Sequence, residues 1–198
     1  MSLWRAHSAP ASEHPSRSAV TIGVVLLVTL PLLAEQLPPG LREQAAQGDA
    51  VAQTELGSRY YAGRGVSQDD AEAMLWIRMA AEQGHAPAQY NLGLLYFRSR
   101  GVHGDDTEAA AWYRRAAEQG YAPAQGGLGY MLAYGAGVEE DHVLAYMWLE
   151  LAVRGAPDDF TRGLYTQQRD ELAGRMSPEQ IAEGRRLTRE WKPTVEPH

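Results

Sequence analysis

A chain of 198 residues with 44% hydrophobic residues holds enough apolar material for one packed domain and a tail. Its formal net charge of −7, with no long Lys/Arg run, excludes nucleic acid or an anionic membrane surface as the main partner, since both need clustered positive charge. The absence of cysteine excludes disulfides, thiolate catalysis and thiolate zinc sites.

In chain order, the first feature is residues 19–34 (AVTIGVVLLVTLPLLA), uncharged and preceded by Arg5 and Arg17. A spanning helix needs about 20 apolar residues, and this stretch is shorter and contains Pro31. Residues 1–34 therefore read as a secretory signal peptide or an uncleaved signal anchor. The anchor stays open because Leu32 stands where a cleavage after Ala34 wants a small residue. Either reading places the rest of the chain outside the cytoplasm, in a periplasmic or other extracytoplasmic space, with membrane contact only through this segment. Next, Pro38-Pro39-Gly40 followed by LREQAAQ predicts a short capping helix within residues 35–48.

Residues 49–156 repeat. AAEQGHAPAQ at 80–89 returns as AAEQGYAPAQ at 116–125, and the same 36-residue register joins Gly48, Gly84 and Gly120; Leu56, Leu92 and Leu128; Gly57, Gly93 and Gly129; Asp69, Asp105 and Asp141; and Trp76, Trp112 and Trp148. Gly65-Val66, Gly101-Val102 and Gly137-Val138 keep it too. A fixed period in this range marks a solenoid whose units bury their apolar faces only by stacking. Within a unit, Ala52, Leu56 and Tyr60 fall at i, i+4 and i+8, and Ala73, Trp76 and Ala80 at i, i+3 and i+7, which predicts two amphipathic helices. The first begins just after Gly48, Gly84 or Gly120, with Asp49 as a cap in copy one and Pro87 or Pro123 in the first turn of the others. The second begins at the Asp, with Glu72 and Glu108 at capping-box spacing. The last Gly of each intervening loop is read as a positive-φ position, and one Trp per unit as a wedge between neighbours whose truncation costs roughly 3–5 kcal/mol.

Downstream, residues 157–198 predict two further capping helices. One runs from Asp158 to about Gly174, and the other starts at Ser177-Pro178-Glu179-Gln180 and buries Ile181, Leu187 and Trp191. The whole is an all-α chain: a right-handed α/α solenoid of three helix-turn-helix repeats with capping helices at both ends.

The pattern A-x-A-Q-x-x-L-G-x-x-Y, then G-x-G-V, Asp, A-x-x-W and A-A-E-Q-G over residues 45–156 resembles the Sel-one-like repeat family, relatives of the tetratricopeptide repeat. Copy one departs at Arg59, where its sisters carry Leu95 and Met131, so that end of the stack is expected to be partly solvated. The resemblance implies a scaffold or adaptor for envelope or signalling complexes, which with residues 1–34 reads as a protein-interaction module of a bacterial-type cell envelope.

Little in the sequence points to chemistry. His103, Asp105, Asp106, Asp141 and His142 occupy equivalent loops, but their spacing matches no closed zinc motif, and Asp105 and Asp141 are expected to cap helices. No catalytic residue, metal site or cofactor is assigned. Recognition is the better reading, on the curved surface lined by the first helices. Its variable stripe is Thr54, Ser58 and Ala62, then Tyr90, Leu94 and Arg98, then Gly126, Tyr130 and Tyr134. Tyr90, Leu94, Arg98, Tyr130 and Tyr134 form the candidate groove, a composition common at binding hot spots, although some of these tyrosines, Tyr134 above all, would equally pack on the next unit. Gly126 and Gly127 would open a shallow pocket beneath Tyr90 and Tyr130. The expected partner of this monomer is a protein or peptide, not nucleic acid. The alternatives are binding of a cell-wall glycan and a hydrolase acting on envelope material.

Overall fold

The structure, a computed structural model, describes residues 36–194 other than Arg100 and Val102. The signal or anchor expectation for residues 1–34 thus lies outside the described residues, as does Val102 of the second Gly-Val pair. The described residues are helical, with no strand: α1 (Leu41–Ala46), α2 (Ala50–Ala62), α3 (Asp70–Glu82), α4 (Ala86–Phe97), α5 (Asp106–Glu118), α6 (Ala122–Tyr134), α7 (His142–Gly155), α8 (Asp159–Ala173) and α9 (Pro178–Glu190). They form an α/α solenoid in which α2–α3, α4–α5 and α6–α7 pair as hairpins and each second helix packs on the next first helix.

Capping residues set the helix starts. The Asp49 carboxylate accepts from the Ala52 N–H at 2.7 Å. Asp69, Asp105 and Asp141 each accept from two backbone N–H groups of the next turn, at 2.9–3.1 Å, which satisfies donors that a helix leaves open. The expected capping box at Glu72 is not made: its Oε2 accepts instead from the Trp76 indole N–H at 2.9 Å. Ser177 and Gln180 do make one at the start of α9.

The core is organised around a residue that the sequence reading overlooked. Gly57, Gly93 and Gly129 lie under Ile77, Tyr113 and Leu149, each the residue after the repeat's Trp; a Cβ on the glycine would stand 2.6, 2.7 and 2.8 Å from those side chains and 3.1–3.2 Å from a carbonyl of the partner helix. The missing Cβ lets the two helices of a hairpin close to backbone contact. Trp76 and Trp112 are only half-buried, while Trp148 is 7% exposed, so the wedge role expected of every Trp is corrected. One helical step is 100°, which turns the Trp off the inward face that its successor occupies. Trp148 is the exception because the α9 end covers it, with the Trp191 ring edge-on at 5.9 Å. Leu56, Leu92 and Leu128 are fully buried, as their register predicted.

A second device joins the units. Gln53, Gln89 and Gln125 are buried and donate through Nε2 to the carbonyls of Ala45, Ala81 and Ala117 at the end of the preceding helix, at 3.0–3.3 Å. Gln83 and Gln119 in turn donate to the Oε1 of Gln53 and Gln89 at 2.7 and 2.8 Å. At Arg59 the departure from the pattern is accommodated by an ion pair to Glu55 at 2.6 Å on a half-buried side chain, whereas Leu95 and Met131 are buried.

Toward the C-terminus, α8 and α9 both pack on α7 rather than on each other. Ile181, Leu187 and Trp191 are half-buried, and the buried positions of α9 are Gly184 and Thr188. Gly184 has no Cβ to keep the Tyr146 ring away, and one added there would lie 2.8 Å from it. The apolar side chains flank this contact instead of making it.

Candidate functional site

Residues of the first helices α4 and α6 and of α8 line one face, with α8 in contact with α6. Tyr90 and Leu94 project from α4, Arg98 is its C-cap, and Tyr130 and Tyr134 project from α6. The structure gathers Tyr90, Leu94, Arg98 and Tyr130 around a cavity of about 270 Å³. Tyr134 lies in an adjoining groove of about 490 Å³ between α6 and α8, walled by Leu164, Gln168, Glu171 and Arg175. Tyr130 borders both spaces. Tyr134 is 57% exposed, with its ring 4.8 Å from that of Tyr130 and the Arg175 guanidinium 5.8 Å from its centre. It is therefore a surface group and not packing for the next unit.

Phe97, Tyr113, Pro123, Met131, Tyr165 and Gln168 complete the lining, and none of them was among the sequence candidates. Tyr165 of α8 lies over Gly126, where a Cβ would come within 2.5 Å of its ring, and Tyr113 of α5 lies over Gly127, at 3.1 Å. Rings thus lean over both glycines, and Gly126 and Gly127 line the cavity together with Tyr90 and Tyr130. The signal was present in the sequence, because two glycines replace Tyr90-Asn91 in the third copy, and small residues facing a row of aromatics call for a ring.

The site is aromatic with a cationic tip. Tyr90 stacks on Tyr113 at 5.5 Å and meets Tyr121 edge-on at 5.6 Å. Burial pushes the phenol pKa of Tyr90, Tyr113 and Tyr121 up, and Arg98 opposes the shift at the first two. Burial also raises Tyr165, to about 12. Desolvation disfavours the phenolate, so these hydroxyls remain neutral donors across the physiological range. Arg98 donates to the Tyr61 hydroxyl of the preceding repeat at 3.0 Å.

The first copy's part of the stripe is spent on joining repeats. Thr54 Oγ1 donates to the Ala50 carbonyl at 2.7 Å and stands 2.8 Å from His85 Nδ1, and Asn91 donates to Ser58 at 3.3 Å. Burial lowers the His85 pKa, with Asp49 opposing. Of the loop residues considered for a metal, Asp105 and Asp141 cap helices, His103 and Asp106 are exposed, and His142 Nε2 lies 2.8 Å from Glu140 and 3.2 Å from Arg175. Among the described residues no group of three or more ligating side chains gathers, and no helix is long and apolar enough to cross a membrane.

The pattern of the Sel1 repeat matches residues 50–85, 86–121 and 122–156. Over 58 residues the chain is 42% identical to the secretory immunoglobulin A-binding protein EsiB of Escherichia coli O6:H1, covering 29% of this chain and 12% of that protein. Among solved structures it is similar to a protective antigen of uropathogenic Escherichia coli strains with an SLR fold (TM-score 0.67, 35% identity, 76% of this chain and 31% of that one). It is also similar to a Sel1 repeat protein from Oxalobacter formigenes (TM-score 0.56, 42% identity, 64% of this chain and 95% of that one). The chain thus spans about an eighth of the curated relative and under a third of the first structure.

Proposed function

Because the chain belongs to the Sel1 repeat family, whose members are generally protein-interaction scaffolds, we propose that it is a non-catalytic adaptor of the cell envelope that holds a protein or peptide partner on the face formed by its first helices. Helix α1 and the α8 and α9 helices serve as the end covers of the stack. One observation carries the reading: Tyr90, Leu94, Arg98 and Tyr130, scattered over 41 positions, line a single cavity, while the equivalent positions of copy one bond across repeats. Aromatic and Arg side chains set in partly desolvated pockets are the usual anchors of interfaces. The envelope assignment is supported by residues 19–34 and by the antigen relative of uropathogenic strains. The immunoglobulin binding named for the curated relative belongs to a protein of which the match covers only 12% and supports a protein partner only as a class.

The test is capture from an envelope extract by the protein and by its Leu94→Glu/Tyr130→Ala variant, with circular dichroism to show that both are folded. A protein retained by the first and lost by the second is the expected result. Equal capture by both removes the groove from the mechanism, and retention competed by cell-wall glycan, or turnover of it, puts the glycan or hydrolase reading in its place.

A further inference from the structure

The adaptor reading says which face binds but not what chemistry it selects, and the smaller cavity is specific on that point. Its lining includes Arg98, Tyr90, Tyr113, Tyr165 and Gln168, with Leu94 among the apolar members. Arg98 is the one charged side chain among the described lining residues. Several arginines of this chain sit against carboxylates, among them Arg59 on Glu55, Arg154 on Glu150 and Arg186 on Glu183 and Glu190, while Arg42, Arg78 and Arg185 donate to the hydroxyls of Tyr60, Tyr96 and Tyr146. Arg98 belongs to this second group, held by the neutral phenol of Tyr61, which orients the guanidinium without neutralising it, and it alone of the group lines the cavity. In a chain with 25 acidic against 18 basic residues, a cation facing a cavity without a carboxylate does not reflect a shortage of carboxylates.

The neutral groups point the same way. The hydroxyls of Tyr90, Tyr113 and Tyr165 and the amide of Gln168 make no hydrogen bond to any described residue, although Tyr113 is buried. Burial holds the phenols protonated, so each has a proton to donate. A cation and several neutral donors around an apolar wall match an acceptor-only anion. The volume of about 270 Å³ admits one or two side chains, not a folded surface. Phosphate recognition in peptides relies on clusters of Arg, and this cavity has one, which favours a singly charged carboxylate.

We propose that the cavity between α4, α6 and α8 is a subsite for a carboxylate side chain, so that the partner presents a peptide with Asp or Glu beside an apolar residue; this rests on the first-helix face being the partner surface. Arg98 supplies the charge, the tyrosine hydroxyls the neutral donors, and Leu94 the wall for the neighbouring apolar side chain. Residues outside the cavity set the rest of the sequence preference.

The test passes a randomised heptapeptide library, acetylated and amidated at its ends, over the immobilised full-length chain and reads the retained pool by mass spectrometry. Asp and Glu are expected to be enriched, and replacing that residue by Gln or Asn in a retained peptide should weaken binding about tenfold. Arg98→Gln should abolish the enrichment, and Tyr165→Phe, which keeps the ring and removes one donor, should weaken the acidic peptide several-fold at unchanged melting temperature. A pool without acidic enrichment, or one whose enrichment survives Arg98→Gln, overturns the carboxylate subsite while the peptide-binding reading stands. Retention of no peptide at all overturns both. A phosphoserine analogue binding more tightly than the Glu peptide, or an unblocked C-terminus replacing the side chain without loss, reassigns the cavity to that anion and overturns the proposal as stated.

Discussion

At the scale of the residue, the repeat's exceptions say as much as its rules. Ser99 holds a φ of 52° where its counterparts Gly63 and Gly135 hold 67° and 65°. A β-carbon is disfavoured in this left-handed region, and Ser99→Gly is expected to stabilise the protein by about 1 kcal/mol, read as a shift of the urea midpoint at constant slope. The tryptophans give a second expectation, because equal sequence positions have unequal surroundings. Trp148 is enclosed and meets Trp191, whereas Trp112 is half-exposed beneath the Arg115 guanidinium, 4.3 Å from its ring centre. Trp148→Ala should cost about 3–5 kcal/mol, and Trp112→Ala clearly less. Equal losses in thermal unfolding would show that burial is not what separates them.

Among the elements, the hairpins are closed by glycine under Ile77, Tyr113 or Leu149, and the units are tied by the glutamine ladder. Gln89 is 3% exposed, donates to Ala81 and accepts from Gln119. Gln89→Leu keeps the volume but removes one bond each from the Ala81 carbonyl and the Gln119 amide, which retain the Gly84 N–H and the Gly84 carbonyl as partners, so a loss of about 1 kcal/mol is expected, measured by denaturant unfolding. The 36-residue recurrence of Gln53, Gln89 and Gln125 was visible in the sequence. Its meaning was not, because a Gln in an amphipathic pattern reads as surface until the carbonyl of the preceding helix is placed beside it. Caps were legible for the opposite reason: an Asp and the N–H groups it accepts from lie within three residues, so Asp69, Asp105, Asp141 and Ser177 needed no tertiary information.

Over the whole molecule, the face lined by α4, α6 and α8 gathers tyrosines whose ionisation is postponed by burial. Tyr165 titrates near 12 in the folded protein against an ordinary value of 10.0, and Tyr90, Tyr113 and Tyr121 are raised as well. The unfolded chain loses these protons first, so the stability associated with them is fully present below about pH 10 and falls as pH rises toward 12. Unfolding followed from pH 9 to 12 should show this loss together with a late phenolate absorbance step. Tyr165→Phe should reduce both, and an unchanged alkaline profile would place that ring in solvent.

The sequence by itself determined the period, the two helices per unit, their caps and the face on which Tyr90, Leu94, Arg98 and Tyr130 fall, because each is encoded by spacings within one turn or one repeat. Tertiary structure alone decided that Tyr165 and Tyr113 occupy the glycine sites, that Tyr134 stands in a separate groove, and that α8 and α9 both rest on α7. Apart from the Tyr113 contact, which comes from α5 of the second repeat, these contacts depend on how helices with no repeat signature dock against the last unit. That docking follows from the summed packing of surfaces distant in sequence, for which a linear pattern has no register.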